Sequence, residues 1–259
     1  MKFYPGFDIK ILNNPLGFSY GEGTFGPVVE NRRLDDIRKS LKNPDCSGPD
    51  ILYSIAMDVG KEKDLQAMKE RNLLYGAVIY ASGRIGNEPV RSQGHIHSIS
   101  KSCEYSTPEV YEIWSGEAVI YMQEKAEDEP GKCFAVKAYP GDVVIVPPSW
   151  AHATINSNPS ENLVFGAWCV RDYGFEYEGV RRHKGLAWYL VFDKSGKMSW
   201  IHNEMYNECD LIIKNPREYK EFGIRKEVPI YTQFEKDPDS FLFVSNPKSV
   251  SNLWQNFIP

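Results

Sequence analysis

Cysteine and histidine are scarce in this chain of 259 residues, which carries five of each. It also lacks any run of the roughly 18 apolar residues that a membrane-spanning helix needs. The cysteines (Cys46, Cys103, Cys133, Cys169, Cys209) form no Cys-x-x-Cys pair and are odd in number, which argues against a disulfide framework and for a reducing compartment. No long basic run appears and the net charge is −5, so nucleic acid is not an expected partner. The opening Met1-Lys2-Phe3-Tyr4-Pro5 lacks the apolar core of a secretion signal. A soluble cytoplasmic protein with no membrane partner is expected. There is no internal repeat to suggest two equivalent halves. Gly21-Glu22-Gly23-Thr24-Phe25-Gly26 has the spacing of a dinucleotide-binding loop, but Pro27, Val28 and Val29 follow where a helix must begin, so this stretch reads as turns rather than a cofactor site.

A chain of this length buries roughly 70 to 75% of the surface its unfolded form exposes, enough for one large domain or a domain with an appendage. The first thirty residues, rich in Gly, Pro and Asn, should be irregular or form short strands. The spacing of Leu34, Ile37 and Leu41 predicts a helix over 33–41, and a second, charged helix is expected over 61–73. From Leu74 the pattern changes to short β-rich runs at 75–81, 110–123, 133–138, 143–146, 151–155, 163–169, 186–192 and 198–202, separated by Gly, Pro, Asn and Asp. That is the signature of an all-β sandwich or barrel. The organisation expected is an N-terminal arm of strands and short helices over 1–74, a barrel over 75–202 and an extension over 203–259. Tyr219, Phe222, Ile224, Tyr231, Phe234, Phe241, Phe243, Trp254 and Phe257 make the extension too apolar for a disordered tail, so it should pack on the barrel or on a partner subunit.

Two segments of the β-rich region carry chemistry: Gly94-His95-Ile96-His97 with Glu109-Val110-Tyr111, and Pro147-Pro148-Ser149-Trp150-Ala151-His152 with Asn156. In an extended strand His95 and His97 point to one face. With Glu109 and His152 from other strands they make three imidazoles and one carboxylate, a set that suits divalent Mn, Fe, Co, Ni or Zn and leaves coordination positions for a substrate. A lone His-x-His pair is more commonly a surface or packed feature. Here, however, three of the five histidines fall inside the two segments. Glu104 competes for the carboxylate position; Glu109 is preferred because it opens the alternating run Val110-Tyr111-Glu112-Ile113-Trp114. Tyr111, two residues on, shares its inward face. Arg84, Arg91 and Arg171 flank the expected mouth, where guanidinium forks match an anionic substrate, although solvated edge charge is the plainer reading. His183 and His202 fit neither segment and read as structural or exposed.

These same residues resemble a known family. Gly141-Asp142-Val143-Val144-Ile145-Val146-Pro147-Pro148 through His152 and Asn156 is similar to the second motif of the cupin superfamily, and Gly94 to Gly116 to the first. More narrowly, Gly-His-Ile-His, Glu-Val-Tyr and Val-Pro-Pro-Ser-Trp-Ala-His-Ala-Thr-Ile-Asn resemble the cupin-type glucose-6-phosphate isomerases of archaea and some bacteria. Asn31 to Asp36, Pro49 to Tyr53 and Lys184-Gly185-Leu186 extend the likeness, which covers roughly residues 15 to 200. It implies a single jelly-roll barrel, a metal held by His95, His97, Glu109 and His152, a small sugar-phosphate substrate and a homodimer. The implied activity is metal-dependent aldose–ketose isomerisation, the metal polarising the carbonyl while Glu109, with Tyr111 and Tyr177 nearby, handles a proton; a hydride shift remains open.

Several family features differ here. Eleven residues separate His97 from Glu109, a longer interval than is usual, so residues 98–108 are expected to bulge at the mouth. Ala77-Val78 and Ser92-Gln93 stand where the family carries threonines and a Thr-Lys pair, and Gly174-Phe175-Glu176-Tyr177 stands for Gly-His-Asp-Tyr. Ser92, Arg84 and Arg91 are then the expected holders of the substrate's phosphate. An iron-dependent dioxygenase with the same ligands and a non-catalytic sugar-binding cupin are the other readings that the residues allow.

Overall fold

The computed structural model describes residues 2–259. Two sheets face each other. The larger runs, edge to edge, Val143–Val146, Glu109–Ser115, Leu163–Val170, Leu73–Tyr80, Ile51–Ala56 and Glu30–Arg33; the smaller runs Ala151–Asn156, Ala118–Gln123, Cys133–Ala138 and Leu211–Lys214. All these pairings are antiparallel except that of Cys133–Ala138 with Leu211–Lys214. In chain order the strands from Glu109 to Val170 go to the large, small, small, large, small and large sheet, so the chain repeatedly crosses between layers. This is the jelly-roll barrel of an all-β cupin fold.

Leu73–Tyr80 and Leu163–Val170 read as unbroken apolar runs because both faces of the large sheet are covered. Leu74, Val78 and Tyr80 face the barrel interior, against Tyr111, Ile113, Ile120, Met122, Phe134 and Phe165. Tyr75, Ala77 and Ile79 face outward, under Phe7, Phe222, Tyr231, Phe234 and Phe241. Trp168 anchors this outer layer, its ring 4.7 Å from Phe234, 5.4 Å from Phe241 and 5.7 Å from Tyr231. The outer face of the small sheet is covered by Val180, Leu186, Leu190 and Tyr206. The sheets therefore draw strands from both sides of residues 75–202: two precede it, and Leu211–Lys214 follows.

The run at 110–123 is two strands, not one. The chain turns at Gly116 (φ 83°), where a Cβ would lie 2.6 Å from the Asn162 carbonyl oxygen, so only glycine permits the reversal between sheets. The expected helices are shorter than their apolar spacing suggests. Leu34–Ile37 passes into a 3-10 turn at Arg38–Ser40, and a 3-10 turn at Glu62–Asp64 leads into Leu65–Glu70. In the glycine-spaced stretch Thr24–Phe25 pairs with Gly60–Lys61 as a short ribbon.

One carboxyl lies inside the outer layer. Glu112 shares the outward register of Val110 and Trp114, is 1% exposed, and accepts the Ile230 N–H at 2.8 Å where the helix Ile230–Lys236 begins. Burial pushes it up to about 8, against which the Ile230 N–H works only partly. The folded state thus holds a proton that the unfolded chain releases near 4.5, so this group makes stability fall as pH rises from about 4.5 to about 8. Glu112→Gln keeps an acceptor for Ile230 and removes the titration. Thermal unfolding should show the variant more stable than wild type at about pH 9 and close to it at about pH 5; a constant difference across that range contradicts this reading.

Candidate active site

His95 lies just before the short strand Ile96–His97, which pairs with Phe175–Glu176. Its backbone exchanges two hydrogen bonds with His152 on Ala151–Asn156, His95 N–H to the His152 carbonyl at 3.1 Å and the reverse at 2.9 Å. Such a directly opposed pair sets both side chains on the same face, and the rings lie 4.3 Å apart. Glu109 opens its strand from the opposite sheet. One ligand atom from each of His95, His97, Glu109 and His152 lies within 4.8 Å of all the others, with Glu109 Oε2 3.2 Å from His97 Nε2 and 3.5 Å from His152 Nε2.

The orientation of two rings is fixed from behind. His97 Nδ1 is 2.8 Å from the Thr107 carbonyl and His152 Nδ1 is 3.1 Å from the Trp150 carbonyl. A carbonyl only accepts, so both Nδ1 atoms carry the proton and both Nε2 atoms present a lone pair inward. The Nε2 atoms of His95, His97 and His152 are buried and have no hydrogen-bond partner among the described residues. Three orphaned ring nitrogens, two of them fixed as acceptors, converging on a carboxylate are costly unless something electropositive joins them, so the residues fit a divalent transition ion. Burial holds His95 and His152 below the usual imidazole range, neutral as ligands must be. Burial acts to raise Glu109; a proton taken up by His152 or His97 would be donated to it, and that contact outweighs burial and holds the carboxyl well below the usual range. Tyr111 donates to Glu109 Oε2 at 2.8 Å, fixing the carboxylate's orientation.

Residues 98–108 fold under the ligands rather than only bulging above them. Ser106 donates to the His97 carbonyl at 2.8 Å and accepts the Ser149 N–H at 2.9 Å, so it joins both ligand-bearing segments. Ser106 and Thr107 are buried, while Glu104 is exposed and lies away from the cluster. Asp172 ties down the loop by accepting from Ser100, from the backbone and side chain of Ser102, and from Asn72.

A cavity opens above the cluster. Its wall is largely aromatic (Tyr53, Tyr80, Tyr111, Phe165, Phe175, Tyr177), with Ser92, Gln93 and Thr154 on one side and Arg32 as the cation. Tyr177 lies beneath the Arg181 guanidinium at 4.9 Å, and Phe175 packs its ring 4.6 Å from His95. Ser92 reaches the cavity, where its hydroxyl accepts the Thr154 N–H at 3.1 Å. Arg84 and Arg91 do not line the cavity. Arg84 stacks on Phe192 at 3.8 Å; Arg91 is buried against Glu88 at 2.7 Å and donates to the Ser40 and Ser92 carbonyls. Arg171 is paired with Asp58. Of the pair Ala77-Val78, Val78 lines the cavity and Ala77 faces the outer core. Arg32 was missed because strand Glu30–Arg33 gives no apolar signal. Its register opposite Tyr53 turns it inward. His183 pairs with Asp128 at 2.9 Å and His202 packs on Trp188, both away from the cluster.

The fold and site define a cupin barrel with a potential metal centre of three histidines and a glutamate. Residues 37–207 match the family model of glucose-6-phosphate isomerase, and the chain belongs to that family of isomerases. It is 31% identical over 209 residues to the glucose-6-phosphate isomerase of Thermococcus litoralis, covering 76% of this chain and 95% of that one. The enzyme of the same name from Pyrococcus abyssi is 30% identical over 138 residues, covering 53% of this chain and 67% of that one. Among solved structures, oxalate decarboxylase from Bacillus subtilis aligns over 47% of this chain and 30% of its own at 17% identity and a TM-score of 0.35. No helix among the described residues is long and apolar enough to cross a membrane.

Native protein should carry one divalent transition ion per chain. His152→Ala leaves the backbone pairing with His95 possible but removes one donor; elemental analysis should show most of the metal gone, and the unfolding temperature should fall. Full occupancy in that variant contradicts the ligand assignment.

Proposed function

We propose that this protein interconverts glucose 6-phosphate and fructose 6-phosphate with a divalent metal in the cluster of His95, His97, Glu109 and His152. The observation that carries the reading is the three orphaned imidazole nitrogens meeting Glu109 at the foot of the cavity, in a chain of this family. A divalent ion held there would supply a Lewis acid to the substrate's carbonyl oxygen.

The chain's own residues account for the remaining steps. Glu109 is ionised at neutral pH and lines the cavity, so it is placed to take the proton from C2 of the open-chain aldose and return it at C1. The O2 hydroxyl proton ends on O1, which leaves the ketose with no net gain or loss of electrons. Tyr111 holds Glu109 by its hydroxyl and keeps it aimed during the transfer. Burial keeps the Tyr111 hydroxyl well above its ordinary range, so it serves as a donor and not as a base. Tyr177 and Phe175 form the wall beside His95 and restrict water. Phe175 brings no proton donor, which concentrates proton handling on Glu109.

The phosphate is assigned to Arg32, with Ser92, Gln93 and Thr154 as neutral donors. Arg32 carries Glu30 as its partner and its side chain is 24% exposed. It can therefore turn to a dianion at the mouth. Gln93 is held by Arg181 at 3.0 Å, which fixes the amide and adds positive charge behind it. A single charge-assisted contact contributes roughly 1.5 to 3 kcal/mol.

Two results are expected from steady-state kinetics in both directions. Glu109→Gln should lose at least about a hundredfold in kcat; a metal-replete variant turning over at wild-type rate rules out the proton role. Arg32→Ala should raise KM for either sugar phosphate by about ten- to a hundredfold with a smaller effect on kcat, while Arg84→Ala should leave KM unchanged. An unchanged KM in the Arg32 variant removes it from the phosphate site.

A further inference from the structure

A second pair of chemically reactive side chains lies on the small sheet, outside the metal cluster. Cys133 opens the strand Cys133–Ala138 and is fully buried; Cys209, 76 residues later in the chain, is partly exposed. The parallel register that sets Leu211 beside Cys133 and Ile212 beside Phe134 brings the segment before Leu211 over the start of the strand. The two sulfurs are 3.9 Å apart. The segment 207–210 has no regular structure and leads into the edge strand Leu211–Lys214.

We propose that Cys133 and Cys209 form a redox modification site: a reversible disulfide that fastens the edge strand Leu211–Lys214, and with it the root of the C-terminal segment, to the barrel. A disulfide needs its sulfurs about 2.05 Å apart, so they must close by roughly 2 Å. The irregular segment around Cys209 absorbs that movement more readily than the sheet does. The oxidant is a peroxide. Cys209, the accessible sulfur, releases its proton and attacks the peroxide; the O–O bond breaks, the leaving hydroxide takes up that proton as water, and a sulfenic acid remains on Cys209. Cys133 then attacks the Cys209 sulfur; the S–O bond breaks, and the released hydroxide takes the Cys133 proton to leave as a second water. Two thiols and one peroxide give one disulfide and two waters.

The order follows from the surroundings. Burial pushes the Cys133 thiol up to about 12, so it stays protonated and shielded until its neighbour is activated. The closed loop is long and contains four of the ten strands of the two sheets, and cross-links across long loops remove the most chain entropy from the unfolded state. Cys103 is also partly exposed but faces the Tyr105 carbonyl rather than another sulfur.

The test uses the full chain treated with a small excess of hydrogen peroxide, alkylated under denaturing conditions and read by intact mass and peptide mapping. Alkylatable cysteines should fall from five to three, a peptide joining Cys133 to Cys209 should appear, and dithiothreitol should restore all five. The unfolding temperature of the oxidised protein should rise by several degrees. Cys209→Ser should retain all its remaining thiols under the same treatment, and Cys133→Ser should accumulate a sulfenic acid on Cys209 that dimedone traps. Oxidation of Cys209 to sulfinic acid in the wild type with no linked peptide overturns the proposal, as does a linked peptide that pairs either cysteine with a different one.

Discussion

Everything at the functional end of this barrel depends on keeping three imidazole nitrogens dry and pointed at one carboxylate. A buried nitrogen lone pair without a donor costs free energy comparable to a lost hydrogen bond, about 1 to 3 kcal/mol each. The fold accepts that cost three times within a few ångströms. It does so with parts that do nothing else as obvious: the Thr107 and Trp150 carbonyls that set two tautomers, the reciprocal backbone bonds of His95 and His152, and Ser106 joining the two ligand segments. Such backing groups hold ligands in place before an ion arrives.

The large sheet explains how this geometry stays rigid. It is packed on both faces, inward by the barrel core and outward by the aromatic layer around Trp168. Glu109 and Glu112, three residues apart on one strand, show the two environments side by side. Glu109 points into the barrel among the clustered histidines and lies well below the usual carboxylate range; Glu112 points into the aromatic layer and is pushed up to about 8 by burial. Alternation along a strand places the two carboxyl groups in surroundings that favour different protonation states at neutral pH.

The ligand cluster and the barrel strands were legible because their signals are local. A His-x-His pair, a Pro-Pro turn and alternating apolar runs each fix a face or a boundary within a few residues, and the resemblance to cupin-type isomerases joined them. The polar side of the cavity was not legible. Arg84 and Arg91 are close to His95 in sequence, yet Phe192, Glu88 and Ser40, all set by tertiary packing, claim their guanidinium groups. Arg32 reaches the cavity through a cross-strand register with Tyr53 that no single stretch of sequence encodes. The short helices fell below their apolar spacing for a similar reason: each is a one- or two-turn connector held by packing, too short to persist on its own.

Sugar-phosphate isomerisation is proposed to depend on a single metal centre at His95, His97, Glu109 and His152. The direct measurement is a titration of metal-free protein with a divalent transition ion, following bound metal and the rate of glucose 6-phosphate to fructose 6-phosphate conversion in the same samples. Activity should rise linearly with bound ion and level off at one ion per chain. Full activity in rigorously metal-free protein, or a plateau in binding at one ion with no isomerisation of either sugar phosphate, would contradict it.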